Sequence, residues 1–132
     1  MATVKLLSDA DASPAARAVF DDIRATRNTD YINNAWRALA NDPVALKRTW
    51  GKAKDVMAPG ALDVLTKELI YLTVSIMNSC DYCIHSHTAF ARAKGMTQEQ
   101  HNELLRVIGL ATELNRTMTA MAVPVDERFQ AR

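Results

Sequence analysis

Two cysteines and two histidines lie close together near the middle of the chain, in the segment Cys80-Asp-Tyr-Cys83-Ile-His85-Ser-His87. Cys80 and Cys83 are three residues apart, and Cys83 and His87 are four apart, so on a helix these three side chains share one face. The thiolate is the nucleophile in cysteine chemistry, and a histidine that accepts the thiol proton is a typical way to form it. The spacing therefore predicts a nucleophilic thiol pair with a basic partner.

The thiol pair is predicted to lie at the start of a helix, with Cys80 at or next to the N-cap. Free backbone N–H groups and the positive end of the helix dipole favour a thiolate there. Two thiols at this spacing can also close a disulfide. One thiolate can attack a peroxide O–O bond and become a sulfenic acid, which the second thiol converts to a disulfide. An external dithiol then restores the pair by exchange.

Glu68 is an acidic residue within the apolar segment of residues 62–78. A buried carboxylate is costly unless it is paired. If this segment and the next form a helical hairpin, Glu68 shares a face with Ser75, a possible accessory residue, and its expected partner is His87 or a water near the thiols. The competing interpretation is a structural ion pair with an arginine such as Arg106.

The composite pattern Glu-x11-Cys-x2-Cys-x3-His resembles the alkylhydroperoxidase D-like branch of the carboxymuconolactone decarboxylase superfamily over about residues 59–97. The resemblance implies an all-helical oligomer, commonly trimeric or hexameric, that reduces a peroxide with electrons from a dithiol reductant. It also implies that Cys83 is the peroxidatic thiol, that Cys80 is the resolving thiol, and that Glu68 and His87 form a proton relay.

Two further residues of the segment are accessory candidates. Tyr82 stands where well-studied alkylhydroperoxidase D proteins have a histidine between the cysteines. Its hydroxyl could line the pocket, or its ring could pack in the core. His85 is two residues from Cys83 and points away from the shared face, so a position in solvent or at a subunit contact competes with a catalytic role.

Other functions fit parts of the same segment. A general thiol–disulfide oxidoreductase needs only the two thiols, and a non-enzymatic redox switch or oligomeric interaction protein needs no turnover. Cys80, Cys83, His85 and His87 also match CxxCxHxH, a possible zinc pattern. However, His85 faces away from the others, and structural zinc sites usually draw two ligands from a second segment. On this spacing we expect no metal. Because the chain has no phosphate-binding loop or dinucleotide fingerprint, we also expect no nucleotide cofactor.

The elements that position these residues are predicted to be helical throughout. The 132 residues indicate a single all-α domain, a compact bundle of about six helices with a polar tail at 124–132. Ser13-Pro14 begins one helix, Thr97 with Gln100 forms a capping box for the last, and Gly95 ends the helix of the thiol pair. The predicted helices cover about residues 14–28, 30–40, 43–57, 62–78, 80–94 and 98–115.

Composition and charge exclude several classes of partner. Sixteen Lys and Arg against fifteen Asp and Glu leave a net charge of +1, without the basic excess that binds nucleic acid or anionic lipid. The most apolar stretch, residues 69–77, is shorter than the about 20 residues of a membrane span. The start of the chain lacks the pattern of a secretory signal. We therefore expect a cytoplasmic protein without nucleic-acid or membrane partners.

The fourth predicted helix is apolar nearly all round, which is typical of a helix buried on most sides. A chain of this length buries only part of its surface by itself, so a partner subunit is expected to cover the helix. The sequence therefore predicts a homo-oligomer. Trp36 and Trp50 are most simply anchors of the core or of an interface.

Overall fold

The computed structural model describes residues 1–130, which form six α-helices and a short 3₁₀ turn. No strand occurs within these residues, so the predicted all-α class with six helices is confirmed. The chain divides into two units, Met1–Ala58 and a second that begins at Pro59. The helices are α1 Pro14–Arg27, α2 Asn34–Leu39, α3 Pro43–Met57, α4 Val64–Met77, α5 Asp81–Ala93 and α6 Gln98–Ala120, followed by the 3₁₀ turn Glu127–Phe129.

The first unit contains the main hydrophobic core. Its fully buried side chains include Phe20 and Ile23 of α1 and Leu46 of α3. Trp36 and Trp50 are also buried and meet edge to face with ring centroids 5.4 Å apart, which confirms their interpretation as core anchors. This unit is therefore held by apolar packing of α1 and α2 on α3.

Helix α2 begins at Asn34, four residues later than the predicted start near residue 30. The Arg24 guanidinium donates to the carbonyl of Asp30 at 3.2 Å, and that of Arg37 donates to the carbonyl of Ile32 at 3.1 Å. Ile32 itself is fully buried. Because side chains satisfy these carbonyls, the segment can stay irregular while Ile32 enters the core.

The second unit is built around a hairpin of α4 and α5. Asp63 caps α4 by accepting from the N–H of Thr66 at 2.9 Å. At the far end of α4, Ser79 has a positive φ of 53°, and the N–H of Cys80 donates to the carbonyl of Ser75 at 3.0 Å. This is a Schellman arrangement, which ends α4 and reverses the chain directly into α5.

Helix α6 begins with the predicted capping box, in which the Thr97 hydroxyl and the Gln100 side chain accept from each other's backbone N–H. It continues past residue 115 to Ala120. Of residues 98–120, none is buried within the chain.

Within the described residues, 1–130, no helix is both long and apolar enough to cross a membrane.

Within the single chain α4 is buried on one face only, so its burial on most sides by a partner subunit stays a prediction. Only Glu68, Leu72 and Ser75 of this helix are buried. The opposite face exposes about half of each apolar side chain, and it includes Ile70, Val74 and Met77. One chain covers one face of α4, mainly with α5, so burial of the other face would need a second molecule.

Candidate functional site

The turn between α4 and α5 positions the thiol pair. Cys80 is the N-cap of α5, as the sequence predicts, and its backbone N–H is held by Ser75. Cys83 follows in the first turn of α5. Both residues are partly buried free cysteines, and they lie close enough together that Cys80 affects the pKa of the Cys83 thiol.

Burial raises the pKa of the Cys83 thiol to about 11. Its hydrogen bond to Cys80 and negative charge on Cys80 act in the same direction. At Cys83 these effects outweigh the favourable field of the helix N-terminus. A Cys83 thiolate at neutral pH therefore needs a group that accepts its proton.

Glu68 lies on the buried face of α4 and is only 3% exposed. Its Oε2 is 2.6 Å from Nδ1 of His87, which is one of the two partners expected from the sequence. Its Oε1 accepts from Nζ of Lys94, also at 2.6 Å. The alternative pairing with Arg106 is wrong, because Arg106 lies 3.9 Å from Glu103 instead.

The ionisation of Glu68 results from opposing effects. Burial raises its pKa, whereas hydrogen bonds from His87 and Lys94 and the charges of both partners lower it. The partners prevail, and the pKa of Glu68 lies below its ordinary value of 4.5. Glu68 is therefore a carboxylate at neutral pH, with one partner on each oxygen.

Two residues of this cluster, Tyr71 and Lys94, are not predicted from the sequence. The Tyr71 ring stacks on the His87 ring, with centroids 3.6 Å apart and an interplanar angle of 17°. Burial, together with negative charge at Cys83, Cys80 and Glu68, raises the pKa of Tyr71. Helical spacing places each of them on the face of a site residue, because Tyr71 is three residues after Glu68 and Lys94 is seven residues after His87.

The accessory candidates lie in different places. Ser75 is buried on the same face of α4 as Glu68, but its hydroxyl donates to the carbonyl of Tyr71 at 2.8 Å, a hydrogen bond within the helix. Tyr82 is 45% exposed, and His85 is also exposed on α5. The structure therefore brings Glu68 and His87 together but leaves Tyr82 and His85 on the outside of the unit.

The arrangement does not match a metal site. Across residues 1–130, no three side chains of His, Cys, Asp or Glu are grouped so that they could hold a metal ion. His85 is exposed, and His87 uses Nδ1 to contact Glu68. The CxxCxHxH pattern is therefore not assembled into four ligands.

Comparisons with known proteins agree with this fold. Residues 43–126 match the carboxymuconolactone decarboxylase family. The crystal structure of the alkylhydroperoxidase AhpD core from Rhodospirillum rubrum superposes with a TM-score of 0.96, at 61% identity, over 100% of this chain and 99% of that one.

Two curated relatives are more distant. An alkyl hydroperoxide reductase AhpD from Corynebacterium aurimucosum is 29% identical over 101 residues, which cover 76% of this chain and 55% of the relative. An uncharacterized protein of the cox locus of Paracoccus denitrificans is 40% identical over 62 residues, or 47% of this chain and 53% of the relative. The matches span about half the length of these two relatives.

Proposed function

Because the chain belongs to the carboxymuconolactone decarboxylase family, in its alkylhydroperoxidase D-like branch, we propose that it reduces peroxides with the Cys80–Cys83 pair. One observation carries this proposal. Two partly buried thiols lie close together at the start of α5, which also supplies the histidine of a buried carboxylate–histidine pair, Glu68–His87. This is the set of groups that a thiol peroxidase needs: a nucleophile, a resolving thiol and a proton carrier.

The proposed role of the Glu68–His87 pair is to accept the proton of the peroxidatic thiol, Cys83. Nδ1 of His87 contacts Glu68, so Nε2 is the ring nitrogen that exchanges a proton with the thiol, directly or through a water. The Glu68 carboxylate then stabilises the imidazolium that forms. The raised pKa of Cys83 leaves the thiol protonated at neutral pH. The relay would supply the base that removes this proton during the reaction.

The proposed cycle balances in three steps. The Cys83 thiolate attacks one peroxide oxygen, the O–O bond breaks, and the alcohol leaves with the proton held by His87. Cys83 is then a sulfenic acid, and Cys80 attacks its sulfur to form a disulfide and release water. Finally, an external dithiol reduces the disulfide by exchange and becomes a disulfide itself. The closeness of the two thiols favours the second step.

We further propose a homo-oligomer, a trimer or hexamer as the family resemblance implies. Two apolar surfaces support association: the outer face of α4 and the length of α6, where Val107 and Leu110 are more than half exposed within the chain. Exposed apolar surface of this extent is typical of subunit contacts. A reducing compartment such as the cytoplasm, where thiols stay free, suits the proposed cycle.

The test begins with reduced, desalted protein that receives one equivalent of hydrogen peroxide or an alkyl hydroperoxide. We expect loss of both thiols, a mass decrease of about two hydrogens, and a rate well above that of free cysteine. Cys83→Ser should abolish turnover with a dithiol, whereas Cys80→Ser should leave a sulfenic acid on Cys83 that dimedone traps.

Two results would contradict the peroxidase. If neither substitution changes the rate of peroxide loss, the pair is not the reaction centre. If peroxide oxidises the pair no faster than free cysteine, but the disulfide exchanges rapidly with dithiols, the protein is a general thiol–disulfide oxidoreductase instead. A pair that oxidises without any dithiol turnover would indicate a redox switch.

A further inference from the structure

We propose that Lys94 is a positioning residue of the relay, which holds Glu68 in place and keeps it ionised while His87 gains and loses a proton. This inference rests on the proposed function, because it concerns how the same relay is controlled. Lys94 does not contact the thiols in this arrangement. Instead, it acts through the carboxylate that it shares with His87.

The end of α5 is built in a way that directs Lys94 to this position. Lys94 is the C-cap, and Gly95 follows with a positive φ of 98°, a conformation that glycine adopts without strain. The N–H of Met96 donates to the carbonyl of Ala91 at 2.9 Å and completes a Schellman motif. The Lys94 side chain, 35% exposed, reaches Glu68 on α4. Two turns of α5 separate it from His87, so both residues lie on one face.

The charges around Glu68 explain what Lys94 contributes. From α5, His87 and Lys94 face the carboxylate. The thiol pair at the start of the same helix adds negative charge near Tyr71 when it ionises. From α4, Tyr71 covers the His87 ring. A lysine ammonium is charged throughout the neutral pH range, whereas an imidazole is not. Lys94 therefore balances the charge of Glu68 in both protonation states of His87.

Removal of the Lys94 charge should raise the pH up to which the Glu68–His87 pair stays protonated. A buried carboxylate without Lys94 would draw a proton onto the Glu68–His87 pair, because a nearby cation disfavours proton uptake and its removal favours it. The pair would then stay protonated to a higher pH. A protonated pair cannot accept the proton of Cys83, so thiol reactivity would be lost at the acidic end of the pH range.

The experiment measures the rate of iodoacetamide alkylation at Cys83 between pH 5 and 9, with the alkylated position identified by peptide mass spectrometry. Lys94→Met removes the charge and keeps most of the aliphatic stem, Lys94→Gln keeps one hydrogen bond without charge, and Lys94→Arg keeps the charge. Arg92→Met, which removes a cation from the exposed side of the same helix end, is the matched control.

We expect the acidic limb of the profile to move up by about one pH unit in Lys94→Met and Lys94→Gln, which is about a tenfold loss of rate below the limb. Lys94→Arg should restore the parent profile, and Arg92→Met should not change it. An unshifted limb in Lys94→Gln overturns the proposal, whether or not Lys94→Met folds. Peroxide turnover is measured in parallel, so that absence of turnover with a shifted alkylation limb refutes the peroxidase but not the role of Lys94.

Discussion

Replacement of His87 by alanine tests the relay most directly. His87 is the group that we propose accepts the proton of Cys83, and its position is defined by the contact with Glu68 at 2.6 Å and the stacked Tyr71 ring. The substitution leaves both thiols in place. The pKa of the Cys83 thiol is raised by burial and by Cys80, not by His87. We therefore expect this pKa to stay raised in the variant, which lacks the proton acceptor.

The size of the effect follows from the pKa of Cys83. A thiol with a pKa of about 11 is about one part in 10⁴ thiolate at pH 7, whereas a free cysteine with a pKa of about 8.5 is about 3% thiolate. The thiolate fraction of free cysteine is therefore about 300 times that of Cys83. A more basic thiolate is also a better nucleophile, and with a Brønsted coefficient of about 0.4–0.5 the Cys83 thiolate is intrinsically about tenfold more reactive, which offsets part of this difference. Cys83 in His87→Ala should therefore react about 30-fold more slowly than free cysteine at pH 7.

The assay is initial-rate alkylation with iodoacetamide, in which peptide mass spectrometry counts modification at Cys83 separately from modification at Cys80. His85→Ala is the matched control, since His85 is an exposed histidine on the same helix. We expect the parent protein and His85→Ala to exceed the rate of free cysteine and to level off above the acidic limb. The rate of His87→Ala should instead rise tenfold per pH unit towards pH 11. If the parent protein and His87→Ala give the same profile, His87 is not the proton acceptor and the reasoning fails.

Two other predictions concern stability and assembly. The pKa of Glu68 is lowered in the folded chain, so its ionisation stabilises the fold above pH 4.5, and this contribution is lost as the pH falls through the folded-state pKa. Glu68→Gln should therefore cost about 2–3 kcal/mol in urea unfolding at pH 7 and clearly less at pH 3; an equal cost at both values would contradict the pairing as the cause. In light scattering, we expect the parent chain to be an oligomer and Leu110→Glu on α6 to lower its molar mass. A monomeric parent at micromolar concentration would refute the proposed assembly.

Local sequence signals predict most helix boundaries because caps act within a few residues. Thr97 and Gln100 form the expected capping box, and Ser13 caps α1 by accepting from the N–H of Ala16. The sequence pattern places the start of α2 too early, because the contacts that delay this helix are not local. Arg24 and Arg37 bind the carbonyls before the helix, and no periodicity in the sequence reports such contacts.

The amino-acid sequence is enough to place Cys80, Cys83 and His87 on one face of a helix, because a period of 3.6 residues brings i, i+3 and i+7 together. It also indicated that a carboxylate as isolated as Glu68 must have a partner. The pairing of Glu68 with Lys94 and the stacking of Tyr71 on His87 depend instead on how α4 and α5 pack against each other. The raised pKa of Cys83 likewise follows from burial and from the contact with Cys80. Helical spacing sets which side chains share a face, whereas the packing of one helix on another sets their partners and their desolvation.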